Sequence, residues 1–138
     1  MRLRAETRHR ARALQALYAW ELGGDARLED IAEHVWDDIG VAAGARAHAG
    51  ALLRIVADRG AELDAELSAV TTNWRLDRLA AIDRSVLRLA AAELVQGGTP
   101  PKVVIQEFVF LAERFGSGQS ARFVNGVLDA LARRMGRL

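Results

Sequence analysis

The chain has 138 residues and no cysteine, which fits one domain and excludes disulfides, thiolate nucleophiles and cysteine-ligated zinc or iron–sulfur centres. Its 51% hydrophobic and 27% charged residues are the balance of a globular protein rather than a disordered one, and no apolar run approaches the roughly 20 residues of a membrane span. Nineteen Lys and Arg against eighteen Asp and Glu leave a formal charge of +1, so total charge points to no partner, and with no secretory signal pattern a cytoplasmic location is expected.

The first element is basic. Within twelve residues Arg2, Arg4, Arg8, Arg10 and Arg12 face Glu6 alone, a net of +4 that leaves the other 126 residues at −3. Coulomb attraction follows local density, so this stretch is a footprint for phosphate. The alternative is a frayed, solvated terminus; a single domain spanning 1–138 is expected, with residues 1–7 the candidates for flexibility and their order left open. From about Ala5 to Leu22, Ala11, Leu14, Leu17 and Tyr18 recur at helical spacing, and Gly23-Gly24 stops the helix. A second helix from Leu28 to Ile39 is expected to bury Leu28, Ile31, Val35 and Ile39. A longer third keeps a three-four rhythm from Ala49 to Val70, with Gly60 in a missing step.

The most apolar segment runs from Leu76 to Val95 and reads as one helix at the centre of a bundle. Thr99 reads as the cap of the next helix, with Pro100 at its first position. KVVIQEFVF is β-branched and aromatic, but strict alternation fails at Glu107. Val104, Phe108, Leu111 and Phe115 fit a helical stripe instead. The last helix, Ser120 to Arg134, turns Val124, Val127, Leu128, Leu131 and Met135 inward. The fold class expected is all-α, a compact bundle of about six to seven helices.

Catalytic constellations are scarce. His9, His34 and His48 are scattered, and neither HExxH nor GxSxG occurs. Asp37 and Asp38 are adjacent, so on a helix they point about 100° apart. The Gly116–Ala121 stretch matches G-x-G-x-x-[GA], but that motif needs a preceding strand, and a helix precedes it here. No cofactor and no metal is expected, and an enzyme is the least supported reading. Asp83, Arg84 and Arg88 decorate the central helix, either as a solubilising strip or as a surface for a partner. On the last helix, Phe123 falls at the edge of the buried face and Arg122 points away from the core beside Gly126. A ring and a cation placed so offer base stacking and a phosphate contact. Gly126 itself costs the helix about 1 kcal/mol relative to Ala, which suggests close approach by a helix or ligand.

Four blocks then become recognisable: A-x-Q-A-L-Y-A-W-E-L (Ala13 to Leu22), D-R-S-V-L-R-L-A-A-A-E-L (Asp83 to Leu94), P-x-K-V-V-I-Q-E (Pro100 to Glu107) and F-G-S-G-Q-S-A-R-F-V-N-G-V-L-D (Phe115 to Asp129). In this order and spacing they resemble the NusB family of bacterial transcription antitermination factors. The resemblance implies a helical, non-catalytic protein that binds boxA-type single-stranded RNA of ribosomal RNA leader transcripts. It implies NusE, a protein of the small ribosomal subunit, as partner within an RNA polymerase antitermination complex. Carried over by position, RNA contacts fall on Arg8, Arg10, Arg12, Gln119, Ser120, Arg122 and Phe123, and the NusE face on Tyr18, Leu22 and Asp83. The chain departs from the family at His9-Arg10-Ala11, where Ala-Arg-Glu is usual, at Gln106 for Asn, and at Gln119 for an acidic residue. Two further readings stand beside this one. NusB-like domains also precede rRNA methyltransferase domains, which applies here only to a fragment, and a homodimeric protein-interaction module would hide the basic face.

Overall fold

The computed structural model describes residues 4–138; Arg2 of the basic start lies outside them. Six α-helices and one 3-10 turn follow in order: α1 (Ala5–Gly23), α2 (Leu28–Ile39), α3 (Ala43–Val70), the turn Leu76–Arg78, α4 (Ala81–Gln96), α5 (Pro101–Phe115) and α6 (Ser120–Arg134). No strand occurs among the described residues, and no helix among them is long and apolar enough to cross a membrane. The chain is therefore all-α, as its periodicity predicts.

Helix α4 occupies the centre, packed against α1, α3, α5 and α6, while α2 lies across α1 and α3. Its composition dictates that position. Val86, Leu87, Leu89, Ala90, Ala91, Ala92 and Leu94 are all fully buried, and a helix apolar around most of its circumference must be surrounded. The alanines of α1 (Ala11, Ala13, Ala16) and α4 keep these axes close, and the gap towards α5 and α6 is filled by Phe108, Leu111, Val124, Leu128 and Leu131. Two indole donors tie down α1: Trp36 Nε1 donates to the Arg12 carbonyl at 3.1 Å, and Trp20 Nε1 to the Ala26 carbonyl at 2.9 Å.

Four local expectations are corrected. The segment 76–95 is not one helix, because Leu79 and Ala80 are extended. Leu76 reaches the core from its 3-10 turn, and Arg84 Nη1 donates to the Leu79 carbonyl at 2.9 Å, so the break is held by tertiary bonds that local propensity does not report. Helix α5 begins one residue late: Pro100 is its N-cap and Pro101 its first residue, where a missing N–H is harmless, and Thr99 caps nothing. Of the predicted α2 stripe only Leu28 is buried, Ile31 and Val35 are half-buried and Ile39 is exposed, because Ala32 and the large indole of Trp36 take the core side. Phe115 at the end of α5 is also exposed. The step at Gly60 does coincide with a kink, with Arg59 outside helical geometry.

The α5–α6 turn requires glycine at 116. A Cβ there would sit 2.7 Å from both the Ala112 carbonyl oxygen and Ser120 Cβ, closer than non-bonded atoms tolerate. Gly126 is the opposite case. It is exposed in the middle of α6, and a Cβ would meet nothing within 4 Å, so no segment of the described chain approaches it. Gly126→Ala is therefore expected to stabilise the fold by up to about 1 kcal/mol through helix propensity alone, read as a raised urea midpoint at unchanged m-value.

Candidate nucleic-acid interface

The first turns of α1 carry the basic stretch, and the structure divides it. Arg10 is turned inward and only 4% exposed. Its Nε donates to Glu93 Oε1 at 2.7 Å and its Nη2 to Glu93 Oε2 at 2.5 Å, while Nη1 donates to Glu107 Oε1 at 2.8 Å. Thr7 Oγ1 donates to the same Glu107 oxygen at 2.7 Å, and Arg4 approaches Glu107 at 3.7 Å from the surface. The hydrogen bonds to Glu93, with its charge and that of Glu107, hold the guanidinium protonated above its usual range against the opposing effect of burial. Arg10 thus clamps α1 to α4 and α5 and leaves the exposed basic set. That set retains Arg8, which is exposed, and Arg12, which is half-buried and donates to Gln15 Oε1 at 3.0 Å.

Arg84 and Arg88 are likewise consumed internally. Arg84 Nε donates to Glu21 at 3.1 Å, Arg88 grips Asp64 in two bonds of 2.9 and 2.8 Å, and it also donates to Glu21. Burial disfavours the Arg88 charge, but the bonds from Asp64 and Glu21 outweigh it and hold its pKa up. These pairs join α1, α4 and α3. Asp83, one residue before Arg84, is not part of them.

At the start of α6 the loop geometry separates four predicted residues. Ser120 is 1% exposed, and its Oγ accepts from the Ser117 backbone N–H at 2.9 Å, so it fixes the loop. Gln119 is the N-cap residue, with an exposed side chain, and Arg122 is exposed. Phe123 is half-buried and meets Trp74 edge to face, ring centres 6.3 Å apart at 76°. Together Trp74, Asp83, Gln119, Ser120 and Phe123 line a pocket of about 220 Å³. Trp74, 61% exposed, is the functional candidate that periodicity misses. Its one signal is a large indole in the polar run Thr71-Thr72-Asn73, with no helix to bury it.

Tyr18 lines a second, apolar groove with Leu14, Gln15, Ile82 and Phe115, and Leu22 stands exposed one turn further along α1. The two sites adjoin: Ile82 belongs to one and Asp83 to the other, and Phe115 to one and Ser117 to the other. Gln15, bonded by Arg12, carries the surface on towards the basic end of α1. So the structure brings Asp83 to Phe123 rather than into the Tyr18 groove.

One further contact ties α1 to α3. His9 of α1 and His48 of α3 meet Nδ1 to Nδ1 at 2.6 Å, their rings edge to face. One nitrogen must donate and the other accept, so a second proton breaks the pair. Burial first, then the neighbouring His48, lowers the His9 pKa below the 6.5 of an ordinary imidazole.

A profile described as the NusB family matches residues 7–133. The transcription antitermination protein NusB of Anaeromyxobacter dehalogenans is 44% identical over 127 residues, covering 91% of this chain and 89% of the relative. The crystal structure of T. maritima NusB superposes with a TM-score of 0.87 at 34% identity, covering 96% of this chain and 93% of that one. A crystal structure of antitermination factors NusB and NusE in complex with dsRNA superposes with a TM-score of 0.84 at 26% identity, covering 96% and 99%.

Two outcomes follow from this geometry. Arg10→Ala strands Glu93 and Glu107 in the interior and is expected to cost about 3–5 kcal/mol, whereas Arg122→Ala changes stability by less than about 0.5 kcal/mol; equilibrium denaturation compares them. For His9, a depressed folded pKa means that the unfolded chain binds more protons just below pH 6.5. Its stabilising contribution is present above that value and is lost as the pH falls towards the folded pKa. Stability should therefore decline on acidification through this window, and His9→Gln should flatten the decline in a pH series of melting temperatures.

Proposed function

The chain belongs to the NusB family, and on that footing we propose that it is a non-enzymatic transcription antitermination factor. It binds boxA-type RNA of ribosomal RNA leader transcripts together with NusE, in the cytoplasm, as one domain within an RNA polymerase antitermination complex. The observation that carries this reading is the continuous surface running from Arg12 through the Tyr18 groove to the pocket of Phe123 and Trp74.

The roles follow from exposure and chemistry. Phe123 offers a ring for an unstacked base, Trp74 a second ring at right angles to it, and Arg122 and Gln119 reach phosphate and base edges from the adjoining helix start. Arg8 and Arg12 add phosphate contacts along α1. Arg10 and Ser120 support the site from beneath, one by fixing α1 and the other by fixing the α5–α6 loop. Tyr18, Leu22 and Phe115 are the exposed apolar residues that suit a protein partner.

Anisotropy of labelled boxA-type RNA across a salt series, with and without purified NusE, tests the assignment. Binding is expected to tighten with NusE and to weaken steeply with salt. An Arg122→Glu/Phe123→Ala variant should lose at least about tenfold in affinity, the scale of one stacked base. A flat salt response, or no binding by folded protein with NusE present, overturns it.

A further inference from the structure

His9 and His48 are neighbours only because the chain folds. They lie 39 residues apart, on α1 and α3, and the packing of those helices sets their Nδ1 atoms 2.6 Å from each other. The rings meet edge to face, their planes 85° apart and their centres at 4.8 Å. An N–H donor ordinarily stands at least about 2.7 Å from an oxygen acceptor, and nitrogen is the larger atom. The separation is therefore tight for a hydrogen bond between two neutral imidazoles. Two ring nitrogens set face to face from separate helices also make a chelate. Both rings are half-buried, so their positions are fixed by packing while solvent still reaches them.

We infer that His9 and His48 form a two-nitrogen site for a divalent transition-metal ion of tetragonal preference, Ni2+ or Cu2+, which fastens α1 to α3. Imidazole suits these ions, and the spacing selects among them. An ion binds imidazole nitrogen at about 2.0–2.1 Å, so two nitrogens at right angles on it stand about 2.9 Å apart, and two at the tetrahedral angle about 3.3 Å. From 2.6 Å the first needs an opening of about 0.3 Å and the second of about 0.7 Å. The smaller movement belongs to the tetragonal ions. Among the described residues no third histidine or carboxylate completes a protein-only cage, so the remaining positions fall to water. The charge nearby is divided: Glu6 stands one helical turn before His9, Arg8 opposes a cation, and Arg10 is already paired with Glu93 and Glu107. Each ring binds through Nδ1 and carries its proton on Nε2. The ring that donates in the hydrogen-bonded pair passes its proton from Nδ1 to Nε2 through water, so two neutral imidazoles take up the ion without net proton loss.

Titration calorimetry of the full chain, without an affinity tag, against Ni2+ is the test. One ion per chain is expected, with a melting temperature that rises with Ni2+ concentration, because an ion held only by the folded arrangement stabilises it. His9→Gln and His48→Gln should each weaken Ni2+ binding at least about tenfold, since loss of a residue that merely supports a ligand already costs that much. His34→Gln, which removes an exposed imidazole 3.8 Å from Asp38, should bind as the wild type does. Zn2+ should bind more weakly than Ni2+, and electron paramagnetic resonance of the Cu2+-loaded chain should show two imidazole nitrogens in the plane of the ion. Should a variant unfold, that spectrum of the wild-type chain decides alone. No binding at about 1 mM Ni2+, a concentration at which even a weak chelate registers as added stability, would overturn the inference. Binding that survives both substitutions, or a spectrum with a single imidazole, would do the same. Tighter binding of Zn2+ than of Ni2+ would overturn the tetragonal assignment.

Discussion

The buried pairing of Arg10 with Glu93 and Glu107 is the constraint on which the rest of this surface depends. Three helices meet there: α1 supplies the guanidinium, α4 and α5 the carboxylates. Apolar packing alone is forgiving of small rotations. A two-armed guanidinium bond is not, because its planar fork accepts carboxylates in only a narrow range of directions. Fixing Arg10 fixes the rotation of α1 about its axis, and that rotation decides that Arg8 and Arg12 face outward and that Tyr18 stands over Ile82 and Phe115. Such a cluster contributes less to stability than its short bonds suggest, since all its members were taken out of water. Its contribution is to orientation.

A division of charge runs through the whole molecule. Arg10, Arg84 and Arg88 look like binding residues in the sequence and are spent inside, on Glu93, Glu107, Glu21 and Asp64. What remains outward near the pocket is two arginines, Arg78 and Arg122, one amide, Gln119, and two rings. The surface is thus modest in charge for a nucleic-acid site. That agrees with a formal charge of +1 and with the proposal that RNA affinity is built jointly with a partner.

How much of this the sequence made legible depends on the range of the interactions. Periodicity gave α2 and α6 their observed limits and put α4 at the centre, because amphipathicity is a local property. The helix wheel placed Phe123 at the edge of the core and Arg122 outside it, and both positions are observed. The break before α4 was invisible, since the bonds that hold Leu79 and Ala80 extended come from Arg84 and from the burial of Leu76. The inward turn of Arg10 was equally hidden: its carboxylates lie 83 and 97 residues away. Basic character was countable in the sequence, but the distinction between a spent and an available arginine was not. Trp74 went unnoticed for a related reason, as its ring partner Phe123 lies far along the chain.

Helix α1 also acts as a ruler. Arg8, Arg12 and Leu22 lie on one strip of its surface and Tyr18 beside it, at about 100° per residue. From Arg8 to Leu22 the axis advances roughly 21 Å at 1.5 Å per residue. A single rigid rod therefore sets both the spacing and the relative bearing of the ends proposed to face phosphate and partner. Insertion of one residue between them would swing one end by about a quarter turn relative to the other. Each half would keep its own side chains, yet the two ligands could no longer be held in register on one face. Over this stretch, length is as much a part of the recognition code as the residues themselves.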